Sequence, residues 1–369
     1  MKKQYIIPIF VPNMGCRNDC VFCNQKSITG KEAQINEKEV EEIIEYYLKN
    51  FKDDDNKKEI AFFGGSFTGL EIELQERLLK IAYKYIENKK VDSIRISTRP
   101  DYINKEILKM LKKYKVKTIE LGVQSTNDYI LKKCKRGHSF EDVKKASKMI
   151  RWNGFTLGHQ MMVGLPESTR LDEMKTAEDL IKLKPKIMRI YPVLVIKNTE
   201  LEKIYNEKIY EPLTIVQAVE ISKELIKLFE KKKINVIRIG LQNTENIKNP
   251  ELEESEVVAG PYHEAFRQLV ESNLYYDKIV SSIKKINEKV KEVKIIINPE
   301  DANNCIGHKR ENIEKLKNLY SVEAKIKQDK DIKKGNFKLE ILQIYENWNC
   351  KYQQFKECVQ HMYGWALLV

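Results

Sequence analysis

No run of eighteen apolar residues occurs in this chain, so the sequence offers no segment long enough to cross a bilayer as a helix. The opening Met1-Lys2-Lys3-Gln4-Tyr5 also lacks the apolar core of a secretory signal, and a cytoplasmic protein with no membrane partner is the expectation. Cysteine is sparse: 7 residues, an odd number, do not make a disulfide framework in a chain of 369. Internal repeats are absent. Arginine is scarce beside lysine, with 11 among 66 basic residues. Each arginine therefore carries more information than the average cation, because its planar fork binds carboxylates and phosphates in a way lysine cannot. Arg99, Arg136, Arg189, Arg238, Arg267 and Arg310 all fall inside motif-like stretches. What is abundant is ordinary for a globular chain, 42% hydrophobic and 33% charged residues, with a net charge of +12 that favours a polyanionic partner or a solvated lysine coat.

Short apolar runs alternate with amphipathic windows from the start to about residue 240. The runs expected as strands are Tyr5–Val11, Glu59–Phe63, Ser93–Thr98, Thr118–Val123, Thr156–Val163, Lys186–Val195 and Asn235–Leu241, with helical windows between them. Such alternation makes parallel β/α units. Six or seven units fall short of a closed eight-stranded barrel, so the expected fold is α/β, a partial (β/α)6 barrel with its chemistry on the loops at the strand C-terminal ends. Residues 242–256 are polar and read as a linker. The domain boundaries that follow are 1–241 for the barrel, 242–290 for a linker and helical segment, and 291–369 for a small α/β unit. The terminal stretch with Trp348 and Trp365 suggests packing, and Cys134, Cys305, Cys350 and Cys358 read as free thiols.

The first strand runs into Gly15-Cys16-Arg17-Asn18-Asp19-Cys20-Val21-Phe22-Cys23. Three thiolates can hold three irons of a [4Fe-4S] cluster and leave the fourth open, whereas a closed zinc site wants four ligands and a redox Cys-x-x-Cys needs two. A zinc knuckle completed by a distant histidine is the alternative. The second strand ends in Gly64-Gly65-Ser66, where backbone can approach a ligand without a Cβ in the way, although the same tripeptide also serves as a mere turn. The fourth strand ends in Gln124-Ser125 and is followed by Arg136-Gly137-His138. Gln124 is either a hydrogen-bonding group at the barrel mouth or a strand-end cap. Arg136 offers a fork for a carboxylate. His138 reads as a ligand, a base or a solvated helix-start residue; His159 and Arg189 read as pointing into the barrel, with a satisfied core histidine as the alternative for His159.

These pieces, in this order, resemble the radical S-adenosylmethionine (SAM) superfamily and within it the catalytic subunit of Elongator with its bacterial and archaeal relatives. The motifs that carry the resemblance are the Cys16, Cys20, Cys23 triplet, Gly-Gly-Ser-Phe, Thr-Arg-Pro-Asp-Tyr, Glu-Leu-Gly-Val-Gln-Ser, Arg-Gly-His, Gly-Leu-Pro and Tyr-Pro-Val-Leu-Val-Ile, spread over residues 5–242. The resemblance implies reductive cleavage of SAM at a [4Fe-4S] cluster ligated by Cys16, Cys20 and Cys23. It further implies a methionine end at Gly64, Gly65 and Ser66, Gln124 and Arg136 near SAM, Phe22 toward the adenine, and an electron donor such as flavodoxin or ferredoxin. Elongator-type enzymes carry an acetyltransferase-like domain. No acyl-CoA-type glycine loop follows residue 256 here, so the acetyl-CoA reaction is not carried over.

In its place stand Val293–Ile297, then Ile306-Gly307-His308-Lys309-Arg310, a helical window, and Val322–Lys327. That is the order of a KH domain, whose Gly-x-x-Gly loop clamps a nucleic-acid backbone, with the last glycine replaced by Arg310. The unit is either an RNA contact or a packing module. The function that gathers these readings is a radical SAM enzyme modifying a base in tRNA or another RNA. The alternatives are a radical SAM enzyme acting on a small metabolite, as in the coproporphyrinogen oxidase branch, and an RNA-binding protein with a structural cluster.

Overall fold

The computed structural model describes residues 4–11, 16, 18–24, 35–52, 56–241 and 247–345. Cys350, Cys358, Trp348 and Trp365, and part of the linker, lie outside the described residues. The chain divides into two compact units, residues 1–266 and 267–369, so that residues 247–266 group with the first.

The first unit is built on a seven-stranded sheet. Its strands are β1 (Gln4–Val11), β2 (Lys57–Gly64), β3 (Ser93–Thr98), β4 (Val116–Gln124), β5 (Thr156–Val163), β6 (Ile187–Pro192) and, after the short β7 (Val195–Ile196), β8 (Asn235–Ile239). Their spatial order is β1-β2-β3-β4-β5-β6-β8, and every neighbouring pair is parallel. The sheet curls into an open partial barrel. Ile60 to Phe62 and Ser93 to Ile96 are buried without interruption, as expected of parallel strands covered on both faces.

Helices cross over between the strands: α1 (Glu37–Asn50), α2 (Ile72–Glu87), α3 (Lys105–Lys113), α4 (Asp128–Lys133), α5 (Phe140–Trp152), α6 (Arg170–Lys182), α7 (Glu200–Asn206) and α8 (Ile215–Lys231). Their starts are written locally. Ser139 with Asp142, Thr169 with Asp172, and Thr214 with Gln217 form reciprocal capping boxes that satisfy otherwise orphaned N–H groups.

The run Lys186–Val195, read as one strand, is two. β6 ends at Pro192, and Val195–Ile196 pairs antiparallel with β9 (Val257–Ala259). Leu194, Ile196, Ile247 and Val257 form a small buried cluster, so this part of the stretch read as a linker packs on the barrel.

The second unit holds most of α9 (Phe266–Ile283), β10 (Val290–Ile297), α10 (Ala302–Ile306), α11 (Glu311–Tyr320), β11 (Glu323–Gln328) and β12 (Phe337–Ile344). β10 is central, parallel to β11 and antiparallel to β12. Tyr275, Ile279, Val293, Ile295, Cys305 and Leu316 form its core.

Candidate functional site

Side chains alternate along a strand, so parity sorts them between the barrel interior and the helical layer. Glu120, Gly122 and Gln124 of β4, Gln160 and Met162 of β5, Arg189 and Tyr191 of β6 and Arg238 of β8 line one cavity of about 250 Å3 at the strand C-terminal ends. Cys16, Cys20 and Cys23 lie on its wall with Gly64, Gly65, Ser66 and Arg136. The cysteines, Gly64, Gly65, Ser66, Gln124 and Arg136 thus border a single space, and His138 does not.

The cysteine loop is pinned through Val21. Its N–H donates to Cys134 O (3.2 Å), its carbonyl accepts from Leu201 N–H (2.8 Å), and its side chain is buried with Ile130, Leu165 and Leu201. Cys23 N–H donates to Cys20 O at 3.0 Å, closing a turn that turns the last two thiols toward the cavity. Gly65 N–H donates to Val11 O (2.9 Å), which fastens the end of β2 beside the end of β1, and Ser66 Oγ lies 3.3 Å from Cys16 Sγ.

Arg136 is buried over the same wall. Its Nη2–H donates to Gly122 O at 2.6 Å and its Nη1–H to Cys20 Sγ at 3.4 Å, while Nε has no partner. Gly122 is needed for this approach: a Cβ there would meet Arg136 Nη2 at 2.8 Å and Gln124 Nε2 at 3.1 Å. Gln124 ends β4 with φ +73°, a left-handed conformation that costs free energy for a residue with a Cβ, and its Oε1 accepts from Gln160 Nε2 at 3.1 Å. Local strain at a strand end that faces a cavity is the pattern of a functional position.

Arg99, 1% exposed, makes a bidentate ion pair with Asp101 (both contacts 3.0 Å) and leaves Nη1 without a partner. His138 donates from Nε2 to Val123 O at 3.2 Å. Burial, with Arg136 and Arg99 nearby, pushes its pKa down to about 3, so it is neutral and is neither solvated nor on the cavity wall. His159 falls on the other parity: it meets Ser147 Oγ of α5 at 2.8 Å, is wholly buried with a pKa pushed down to about 3, and is a core histidine. Ser125 turns away as well and hydrogen-bonds Asn127 N–H at 3.1 Å.

Beneath the cavity lies a buried charge network that composition and motif order did not reveal. Arg95 contacts Glu59 through Nη2 (2.6 Å) and Nε (2.7 Å) and pairs with Glu120; Glu120 pairs with Arg189 (2.5 Å). Two carboxylates and two guanidinium groups compensate one another, as buried charges must. Arg189 also donates to Tyr191 OH (3.0 Å) and lies over the Phe63 ring at 4.8 Å, so three neighbours hold it on the cavity wall. The legible signal was Arg95 itself, a charge between isoleucines in a strand expected to be buried on both faces.

The donor set fits an iron–sulfur cluster with an anionic ligand beside it. Cys16, Cys20 and Cys23 all border the cavity. Three thiolates on one cavity suit a cubic cluster, in which each cysteine holds a different iron. Unpartnered buried N–H groups on Arg136 and Arg99 supply positive charge next to those thiols.

Residues 10–180 match the radical SAM superfamily and residues 185–276 match the radical SAM C-terminal domain. The chain belongs to the radical SAM superfamily and is an enzyme of that class, whose cofactors are a [4Fe-4S] cluster and SAM. It is 30% identical over 186 residues to the tRNA uridine(34) acetyltransferase of Methanocaldococcus infernus, covering 45% of this chain and 35% of that protein. An uncharacterized protein of Methanocaldococcus jannaschii is 31% identical over 225 residues, 58% of this chain and 68% of that one. The solved structure of M. infernus Elp3 with its N-terminus deleted shares the fold, with a TM-score of 0.57 at 23% identity over 77% of this chain and 63% of that one. This chain spans about a third of the length of the acetyltransferase it matches. No helix among the described residues is long and apolar enough to cross a membrane.

Proposed function

We propose that this chain binds a [4Fe-4S] cluster through Cys16, Cys20 and Cys23, cleaves SAM reductively, and uses the resulting radical to modify a base in tRNA or another RNA. The observation that carries the reading is the meeting of the three thiols, Gly64-Gly65-Ser66, Gln124 and Arg136 on one cavity at the strand C-terminal ends. Cys16, Cys20 and Cys23 would hold the cluster, which when bound would supply the electron, from a donor such as flavodoxin or ferredoxin, for reductive cleavage of SAM.

The protein's own residues bind and orient. Arg136 presents its fork to the SAM carboxylate, and Gly64 and Gly65 leave backbone open to the amino group. Gln124, locked by Gln160, fixes the polar edge between cofactor and substrate. Across the cavity Gln160, Tyr191 and Arg238 face the space left for a base, with Met162, Leu194 and Leu241 as apolar walls. The similarity to a tRNA uridine(34) acetyltransferase and the +12 net charge support an RNA substrate. Acetylation is not carried over, because the match covers 35% of that relative.

Mass spectrometry of tRNA nucleosides from cells with and without the gene tests the substrate. Loss of one modified nucleoside, restored by the wild-type chain and not by Cys20→Ala, is the result expected. Identical nucleoside profiles would contradict RNA modification.

A further inference from the structure

We infer that the loop Gly307-His308-Lys309-Arg310 of the second unit is a contact site for a phosphodiester backbone, as presented by a single-stranded stretch of RNA. The inference rests on reading the chain as an RNA-modifying enzyme.

β10 leads into α10, the loop turns the chain, and α11 leads into β11, which lies parallel to β10. A glycine-containing loop between two helices in such a strand–helix–helix–strand unit is where a Gly-x-x-Gly clamp grips nucleotide backbone. Arg310 replaces the second glycine, yet the backbone keeps a glycine-like path: φ is +84° at Gly307, +48° at Lys309 and +66° at Arg310. Two consecutive left-handed residues with side chains are unfavourable on their own.

The surroundings impose the shape. Asn312, 2% exposed, has Nδ2 within hydrogen-bonding distance of Ser272 Oγ (3.0 Å), Asn304 O (3.1 Å) and Cys305 O (3.2 Å), and this ties the start of α11 to α9 and α10. A Cβ at Gly307 would sit 2.8 Å from Asn312 N, so the close turn requires glycine. Arg310 N–H then donates to Gly307 O at 3.2 Å.

This strain buries nothing. His308, Lys309 and Arg310 are all exposed, and among the described residues neither Lys309 nor Arg310 makes an ion pair. The adjacent Glu311 is taken up by Lys315 at 2.6 Å, and Lys317, Lys325 and Lys334 have their own carboxylates at 3.0, 2.5 and 2.9 Å. Two neighbouring, uncompensated cations on a rigidly held, left-handed turn match a run of phosphates. Lys309 and Arg310 address phosphates rather than base edges, so their contact is with the backbone and carries no sequence information of its own; His308 is the one aromatic ring in the loop.

The test uses the full chain, with unfractionated tRNA and a mixed-sequence single-stranded RNA oligonucleotide titrated at several salt concentrations. Lys309→Ala/Arg310→Gly removes both charges while glycine keeps the positive φ; Arg310→Lys keeps the charge. The double variant should bind both RNAs roughly tenfold more weakly at low salt, and its log–log salt slope should be shallower by about 1.4, two contacts at about 0.7 each. Arg310→Lys should stay within about threefold of wild type, and SAM cleavage without RNA should be unchanged in both. An unchanged affinity and slope, or a weaker affinity with an unchanged slope, overturns the assignment and makes the loop a packing element. Wild-type protein that binds neither RNA overturns the RNA-modifying reading itself, so the two failures are distinguishable.

Discussion

Replacing Arg136 by alanine removes a cation that touches both a predicted cluster ligand and the cavity. The side chain is 8% exposed, spends Nη2–H on Gly122 O and Nη1–H on Cys20 Sγ, and holds Nε with no partner. If its fork meets the SAM carboxylate, truncation removes a charge-assisted hydrogen bond of about 1.5–3 kcal/mol. At about 1.4 kcal/mol per tenfold, the SAM dissociation constant should rise about ten- to 150-fold. Lysine keeps the charge without the planar fork, so Arg136→Lys should fall between wild type and alanine. Anaerobic titration calorimetry with SAM, on protein of measured iron content, reads the effect directly. Wild-type SAM affinity in both variants at wild-type iron content would refute the assignment, and loss of iron with SAM affinity per cluster unchanged would move the role of Arg136 to Cys20.

Arg95→Met leaves Glu59 buried without its cation and Glu120 with Arg189 alone, and chemical denaturation should show a loss of about 3–5 kcal/mol; a loss below about 1 kcal/mol would show that the network is not held as described. Glu173 is buried, with Gly164 N–H on one oxygen (2.5 Å) and nothing on the other, and burial pushes its pKa up to about 7 from 4.5. The fold therefore prefers its protonated form, and stability should decline by about 3 kcal/mol as pH rises from 4.5 to 7, then level off. Glu173→Gln should flatten that decline, and a variant with the wild-type pH dependence would exclude Glu173 as its source.

The seven sheet strands and the longer helices of the barrel are written in local periodicity, which is why they could be anticipated from residues alone, whereas the short α4, α7 and β7 could not. The cysteine loop was legible for the same reason, since a strand-like run ends just before Cys16. Strand parity, once β5 is in register, separates His159 from Gln160 and Met162 and would have placed the histidine among the helices. What the sequence hides is long-range. The Glu59–Arg95–Glu120–Arg189 network joins four strands, and no local pattern says which carboxylate meets which guanidinium. The pairing of Val195–Ile196 with Val257–Ala259 is hidden likewise, because each segment is too short to show periodicity and one lies in a stretch whose composition reads as a linker. The left-handed turn at Lys309 and Arg310 is imposed by the buried Asn312, and neither residue announces it.

The proposed function stands or falls with Cys16, Cys20 and Cys23 holding one cluster that cleaves SAM. The most direct measurement is anaerobic reconstitution of the wild type and of Cys16→Ala, Cys20→Ala and Cys23→Ala, with iron and sulfide content and dithionite-driven release of 5′-deoxyadenosine read on the same samples. About four irons per wild-type chain and steady 5′-deoxyadenosine formation are expected, with cluster content reduced and SAM cleavage abolished in each variant. Full iron and full SAM cleavage in the three variants, or a wild-type chain that takes up a cluster and leaves SAM intact, would contradict it.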